Sequence, residues 1–467
     1  MVAKLKIEYD ARVILFLFLV LQLLFINGFY LFAGILCLYF ISYNLQQAYK
    51  PSVFTIIFIF HLIQIIAAVW FCNYLEKDID FRAKEQGTAT LVSLAGLVVM
   101  FAPVIYFQNK IPSISFATFK KYADELSIDK TFRVYVVAFI ILGFLGSVRF
   151  LLEGYTQIIV SLVVVKWFLF LLFGFQCILK NRRRKQFYFF IGLEFFSGLG
   201  FFSDFKTVLF YIAFISFMFI TSISLKLLVK WIVIIVVVFF GAILWTTVKN
   251  EYREFLNQGK RTQNVSVSRD EAISKLYELS KNSEDKASSS SVLKFLDRLQ
   301  GTYHLSLAMQ RVPMIIPYQN GKNWGQTFEF VLTPRLLNPD KPILDQSVKA
   351  STYTGIQYAG YREGTAVSLG YFADCYIDFG IFGMMIILFL LGVVYGYTYF
   401  FFMKNSSGNY LFNCSVVGAI FMEFFAFDMD NSYFLGRFFS NIIIFFVLKF
   451  AFFPWLIRYL AAEKSNP

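Results

Sequence analysis

The residues best suited to acid–base chemistry are Asp297, His304 and Arg311, which recur at seven-residue intervals. Residues at this spacing share one face of an α-helix, provided that the helix runs unbroken through Gly301. A neutral imidazole oriented by a carboxylate can take a proton from a sugar hydroxyl. The alternative interpretation is a solvated loop face with incidental pairing.

A proline-rich stretch with the sequence FEFVLTPRLLNPDKP follows over residues 328–342. Its prolines limit the backbone, so Arg335 and Lys341 project from it with little conformational freedom left to lose. A fixed guanidinium suits bidentate binding of a phosphate. Considered alone, such a loop is more often structural than functional.

Four basic residues lie in or beside apolar runs near one end of each run, where an uncompensated charge is costly. They are Arg149, Lys166, Lys206 and Arg437. One interpretation is a cradle for an anionic headgroup. The other is internal pairing with one of the carboxylates Glu153, Glu194, Asp204, Glu423, Asp428 and Asp430, or snorkelling to the interface.

The composition places these residues in a membrane. Of the 467 residues, 58% are hydrophobic, 16% are charged, and 61 are Phe, which is more apolar surface than one soluble core can hide. We therefore predict an all-α, polytopic membrane helix bundle with one large, partly helical extracytoplasmic loop. The five scattered cysteines suggest neither disulfides nor a zinc site.

A bilayer core takes roughly 20 residues of helix, and about twelve apolar runs approach that length. They are Val13–Ile26, Phe29–Tyr43, Ser52–Cys72, Thr88–Phe107, Val134–Leu152, Gln157–Leu179, Gln186–Phe202, Thr207–Leu225, Leu227–Thr247, Phe379–Phe402, Tyr410–Phe427 and Tyr433–Leu456. The first two meet at Asn27 and Gly28, which suit a turn. A single tilted helix is the alternative there.

The net charge of +13 is mostly a topology signal, because Lys and Arg accumulate in short cytoplasmic loops. With twelve spans, this rule places both termini in the cytoplasm. The chain then divides into spans one to nine (1–248), an extracytoplasmic loop domain (249–369), and spans ten to twelve with a cytoplasmic C-terminus (370–467). Within the loop domain, Ser268 and Glu271 form a capping-box pattern that predicts a short helix.

The stretch around Arg335, with its Asn-Pro-Asp-Lys-Pro sequence, is followed by GTAVSLGYFADCYIDFGIFG over residues 364–383. Together with the many helices and the large outer loop before the last spans, these motifs resemble the Wzy-type O-antigen and oligosaccharide repeat-unit polymerases. The likeness covers about Arg298 to Gly383. Asp374 and Asp378 stand where that family commonly has Glu and Asn.

The resemblance implies a GT-C type glycosyltransferase of the bacterial inner membrane, with a periplasmic loop. We expect it to be metal-independent, because the chain lacks a metal-binding motif of the His-x-x-x-His kind. Such an enzyme transfers a growing glycan from undecaprenyl pyrophosphate to a hydroxyl of the next lipid-linked unit. The implied catalytic residues are Arg335, Arg298, Arg311, His304, Asp374 and Glu363. The implied substrate-binding residues are Lys341, Lys166, Arg149, Lys206, Arg437 and Tyr303.

No cofactor and no metal are expected, since the chain has no His-x-x-x-His motif and no Walker-type phosphate loop. Nothing in it resembles a nucleic-acid-binding module. The expected partners are the lipid-linked oligosaccharides and membrane lipid, with a chain-length regulator and a flippase as further candidates. The competing functions are a transporter or flippase of lipid-linked oligosaccharide and an O-antigen ligase.

The resemblance makes Arg335 the first residue to test. We expect Arg335→Ala to abolish polymerisation while the protein still inserts and purifies normally, because the arginine would bind the leaving diphosphate. The measurement is the length distribution of the polysaccharide made by cells carrying the variant. Polymer of wild-type length would contradict the arginine's role.

Overall fold

The apolar runs fold into helices, which satisfy their own backbone hydrogen bonds as a bilayer requires. The computed structural model describes residues 6–149, 155–198, 205–259, 266–281, 289–333, 338, 341, 345–360, 366–424 and 426–462. Within these residues the α-helices are α1 (Tyr9–Leu21), α2 (Gly28–Leu45), α3 (Val53–Tyr74), α4 (Gln86–Asn109), α5 (Phe116–Asp124), α6 (Ile128–Ser147), α7 (Thr156–Lys180), α8 (Arg184–Ser197), α9 (Phe205–Met218), α10 (Leu225–Leu256), α11 (Arg269–Lys281), α12 (Ser289–Leu299), α13 (Tyr303–Arg311), α14 (Lys322–Leu332), α15 (Gln346–Thr354), α16 (Tyr371–Asn405), α17 (Tyr410–Phe421), α18 (Asn431–Ala451) and α19 (Phe453–Leu460).

Other regular structure in the described residues is minor. Two 3-10 helices cover Gln22–Leu24 and Ile79–Phe81. Strands β1 (Lys6–Ile7) and β2 (Ser222–Ile223) pair in parallel and join the first described residues to the start of α10.

Seven helices of the described chain are long and apolar enough to cross a membrane by length and composition. They are α2, α3, α4, α7, α10, α16 and α18. The predicted all-helical, membrane-embedded class is confirmed, but the count of twelve spans is not. Helices α8 and α9 have 14 residues each and α17 has 12, fewer than the roughly 20 that cross the hydrocarbon core.

The first apolar stretch forms two helices, not one tilted helix. Asn27 lies between α1 and α2, and its side chain donates a hydrogen bond to the carboxamide oxygen of Asn73 at 2.8 Å and to the carbonyl of Lys77 at 2.9 Å. Its own oxygen accepts from the backbone N–H of Ile79 at 2.9 Å. The break is therefore anchored to the end of α3 and to the segment that follows it.

Close contact between α4 and α16 organises the centre of the bundle. A Cβ on Gly392 would lie 1.9 Å from the carbonyl oxygen of Met100, so only glycine lets the two backbones touch. Aromatic rings fill the neighbouring space: Phe54 lies 4.8 Å from Phe421 and 6.0 Å from Tyr395 between ring centroids.

The capping box predicted before α11 is confirmed. The backbone N–H of Ser268 donates to Oε2 of Glu271 at 2.9 Å, and the N–H of Glu271 donates to Oγ of Ser268 at 3.3 Å. These reciprocal bonds satisfy N–H groups that the first turn of a helix leaves without partners.

A continuous helix through Gly301 does not form, so the condition for placing Asp297, His304 and Arg311 on one helix face is not met. Helix α12 ends at Leu299 and α13 begins at Tyr303. The N–H of Gly301 donates to the carbonyl of Gln64 on α3 at 2.9 Å. A Cβ at this position would lie 2.5 Å from the ring of Phe427. Tertiary contacts thus hold the break.

The α4–α16 contact predicts the effect of one added methyl group. We expect Gly392→Ala to lower the unfolding free energy by about 1–3 kcal/mol, the usual cost of overpacking. The measurement is thermal unfolding of the purified protein in detergent. Gly241→Ala in α10 is the matched control, because a Cβ there meets nothing within 4 Å. Equal melting temperatures for both variants would contradict the close helix contact.

Candidate functional site

Four positive side chains from three helices gather at one end of the bundle. Lys206 lies in the first turn of α9, Lys249 and Arg253 lie near the end of α10, and Arg298 lies in the last turn of α12. We call these four residues the basic cluster. Their charges are close enough to repel one another.

The lengths and aromatic contacts of these helices bring the cluster together. Helix α10 has 32 residues and is about 48 Å long at 1.5 Å per residue, well beyond a hydrocarbon core of about 30 Å. Its last turns carry charged residues, which include Lys249 and Arg253. Phe205 of α9 packs on Trp245 of α10 at 5.2 Å, and Phe295 of α12 packs on Phe239 of α10 at 5.4 Å.

The basic cluster is accessible and rich in positive charge. Lys206 and Arg298 are exposed, while Lys249 and Arg253 are half-buried. In the part of the chain that the structure describes, no carboxylate lies within ion-pair distance of Lys206, Lys249 or Arg298. Like charges held together in a partly apolar setting favour binding of an anion.

Asp428 connects His304 electrostatically to the basic cluster. The Asp428 carboxylate attracts both the Lys206 ammonium and the His304 imidazole, and it accepts a hydrogen bond from the Gln64 carboxamide at 3.1 Å. Burial lowers the pKa of His304, and the negative charges of Asp428 and Asp297 only partly offset this. The imidazole is therefore neutral near pH 7 and able to accept a proton.

Asp297 and Arg311, predicted to accompany His304, face other partners. The Asp297 carboxylate pairs with the guanidinium of Arg82, from the segment between α3 and α4. Arg311 packs against Gly355, where a Cβ would lie 2.6 Å from Nη1 of the arginine. His304 instead packs edge-on against Tyr358, with ring centroids 5.7 Å apart.

A second charged group lies deeper, where α15, α16 and α18 meet. The Lys349 ammonium lies 2.6 Å from Oδ1 of the fully buried Asp374, whose Oδ2 accepts from the N–H of Asn431 at 3.0 Å. Asp430 caps α18 by accepting from the N–H of Tyr433 at 2.8 Å. We call Lys349, Asp374 and Asp430 the buried ionic group.

Electrostatics couple the members of the buried ionic group. Burial by itself would lower the pKa of Lys349, but the attraction of Asp374 and Asp430 outweighs it and the pKa is raised. Burial, and then repulsion from Asp374, raise the pKa of Asp430. Sequence reasoning missed Lys349 altogether, because an isolated lysine in a polar loop gives no signal until its partners are known.

Two of the intramembrane cations are paired inside the bundle. The Lys166 ammonium lies 2.7 Å from Oε2 of Glu194, whose other oxygen accepts from the Tyr135 hydroxyl at 3.3 Å. The Arg437 guanidinium lies 2.7 Å from Oε2 of Glu423. Both pairs agree with the internal-pairing interpretation and leave less charge available for a ligand.

The remaining predicted residues have varied surroundings. The Lys341 ammonium donates to the carbonyls of Phe330 and Thr333 at the end of α14, as a helix C-cap does. The ring of Tyr303 lies under the Arg82 guanidinium at 4.4 Å. Arg149 follows the end of α6, and its carbonyl accepts from the Thr156 hydroxyl at 3.2 Å. Arg335 and Glu363 lie outside the described residues.

The fold and its apolar helices define the class as a helical, membrane-embedded protein. Within that class, the chain belongs to the family described as a domain of unknown function, DUF8712, which matches residues 178–459. The match includes the basic cluster, His304 and the buried ionic group. The chain matches no curated protein and no solved structure.

The buried ionic group predicts a pH-dependent loss of stability. Lys349→Met leaves two carboxylates near each other without their cation, which costs about 3–5 kcal/mol when a buried pair is broken. The positive charge of Lys349 opposes the rise in the pKa of Asp430, so without the lysine the folded-state pKa of Asp430 rises further above its unfolded value. The destabilisation should therefore be small at acid pH and grow as the pH rises through that raised pKa.

Thermal unfolding of Lys349→Met at pH 5 and pH 7.5 measures this effect. The double variant Lys349→Met with Asp374→Asn is the control, because it removes both charges and should recover part of the lost stability. Equal losses at the two pH values, without recovery in the double variant, would argue against the ion pair.

Proposed function

We propose that this protein is a metal-independent glycosyltransferase that polymerises lipid-linked oligosaccharide repeat units into O-antigen or a related surface polysaccharide. It transfers the growing glycan from undecaprenyl pyrophosphate to a hydroxyl of the incoming lipid-linked unit. The reaction takes place at the outer face of the bacterial inner membrane. The observation that carries the proposal is the basic cluster at one end of an apolar bundle, where the Asp428 carboxylate interacts with both Lys206 and His304.

The basic cluster suits the leaving group of this reaction. Negative charge develops on the diphosphate as the glycosidic bond breaks, so cations fixed in advance stabilise the transition state more than the ground state. Lys249 and Arg253 lie at the end of the long apolar helix α10. A diphosphate attached to a membrane-embedded lipid would lie at the same depth.

His304 suits the acceptor side of the reaction. Its neutral imidazole interacts with Asp428, which also interacts with Lys206 of the basic cluster and can stabilise the imidazolium that forms when His304 takes the hydroxyl proton. The fully buried Asp374 is engaged by Lys349, so we assign it the role of holding α15 against α16. Arg335 and Glu363 keep the roles that the sequence resemblance implies.

Charge-neutral variants of the basic cluster test the proposal. We expect Lys249→Gln and Arg298→Gln each to lower the polymerisation rate by about 100-fold, the order lost when one transition-state donor is removed. The measurement is extension of a purified lipid-linked repeat unit by the reconstituted protein, read as a ladder of polymer lengths. Lys281→Gln, an exposed lysine of α11, is the matched control and should leave the rate unchanged.

The accumulated intermediate identifies the reaction step. Loss of a polymerase leaves single repeat units attached to the final acceptor, whereas loss of a ligase leaves long chains on the carrier lipid. Loss of a flippase traps single units on the cytoplasmic face. A complete ladder of polymer lengths from both Lys249→Gln and Arg298→Gln would overturn the proposal. Long chains left on the carrier lipid, or single units trapped on the cytoplasmic face, would also overturn it.

A further inference from the structure

Arg82 lies outside the basic cluster but contacts the residues that precede two members of the site. It follows the 3-10 helix Ile79–Phe81 in the segment between α3 and α4. Its guanidinium pairs with the carboxylate of Asp297 and lies 4.4 Å from the ring centroid of Tyr303. Arg298 and His304 come directly after these two residues in the sequence.

We propose that Arg82 is a positioning residue that holds both sides of the α12–α13 break and thereby orients Arg298 and His304 toward one substrate. This inference rests on the proposed function for its catalytic consequence. The contacts of Arg82 with Asp297 and Tyr303 do not depend on the proposed function.

Because α12 and α13 are separate helices, one residue that contacts both can fix their relative orientation. We call Arg82, with its contacts to Asp297 and Tyr303, the clamp. Residues 300–302 separate α12 from α13, so the orientation of Arg298 is not transmitted to His304 through a continuous helix. Gln64 fixes the break by accepting the N–H of Gly301, and Gln86 donates to Oγ1 of Thr302 at 2.7 Å. Both contacts hold residues within the break, one through the backbone of Gly301 and one through the side chain of Thr302. Arg82 instead contacts a side chain on each of the two flanking helices.

A guanidinium is suited to this role. Its planar fork can bind a carboxylate while its face stacks on an aromatic ring, which an ammonium group cannot do as well. The Arg82 side chain lies over the rings of Phe71 and Tyr303, at 5.1 and 4.4 Å from their centroids. Phe71 belongs to α3, so the clamp ties both helices of the break to a buried part of the bundle.

The clamp also affects the electrostatic potential at the His304 imidazole. The titratable groups near the imidazole are Asp297 on α12, Asp428 before α18, and Tyr303 and Tyr358, with Arg82 opposite Asp297. Asp428 acts most strongly on the imidazole and Asp297 less strongly, and the Arg82 guanidinium pairs with the Asp297 carboxylate. Without Arg82, the Asp297 carboxylate would act on the imidazole unopposed and favour its protonated form.

The chain contains two histidines, so NMR of protein with labelled histidine reports His304 directly. His61 is buried in α3, hydrogen-bonded to Tyr371 and Ile57, and serves as an internal reference. We expect Arg82→Gln to shift the His304 titration midpoint upward and Asp297→Asn, added to that variant, to reverse the shift. Lys84→Gln removes an exposed charge from the same segment and should leave the His304 titration midpoint unchanged.

Kinetics of the same proteins test the catalytic consequence. We expect Arg82→Gln to lower kcat by about 10- to 100-fold with a smaller change in KM, since misplacing a reacting group by about 1 Å has effects of this size. Arg82→Lys should recover part of the loss. Asp297→Asn should add little to Arg82→Gln, because both variants break the same contact.

The two readouts separate failure of this inference from failure of the proposed function. A shifted His304 titration in a protein whose wild type makes no polymer would overturn the proposed function and leave the clamp supported. An unchanged titration in Arg82→Gln, or strictly additive kinetic effects of Arg82→Gln and Asp297→Asn, would overturn the clamp.

Discussion

The energetic cost of unpaired charge in an apolar environment determines how this protein distributes its ionic side chains. Inside the bundle, Lys166 and Arg437 each contact a glutamate, and Lys349 contacts Asp374. Pairing of this kind makes a buried charge tolerable. In the basic cluster, by contrast, no carboxylate among the described residues lies within ion-pair distance of Lys206, Lys249 or Arg298, so an anionic ligand can supply compensating charge at this accessible end of the bundle.

The site is assembled by contacts between distant parts of the chain. Gln64 of α3 binds the N–H of Gly301 and the Asp428 carboxylate, and thus places the α12–α13 break beside the segment before α18. The buried ionic group links α15 to the same segment through Asp430. These polar contacts are satisfied and partly buried, so they fix the relative positions of helices that contribute only a few residues each.

Particular elements show where sequence reasoning succeeded. The capping box at Ser268 and the turn at Asn27 were predictable because each depends on residues a few positions apart. The helix through Gly301 that would place Asp297, His304 and Arg311 on one face does not form. Glycine is tolerated in helices, so the sequence left this condition open, and the contacts with Gln64 and Phe427 impose the break. Lys341 was expected to face a phosphate, but its ammonium contacts carbonyls at the end of α14.

The sequence by itself determined that the chain forms apolar helices in a membrane, since hydrophobicity and helix length follow from composition and local order. It also supplied His304 and Arg298 as candidates for chemistry. Tertiary structure decided the number of full-length spans, the partner of each charge, and the assembly of the basic cluster from α9, α10 and α12. Ion pairs and helix contacts join residues far apart in the chain, and their energies depend on distance and burial, which no local pattern encodes.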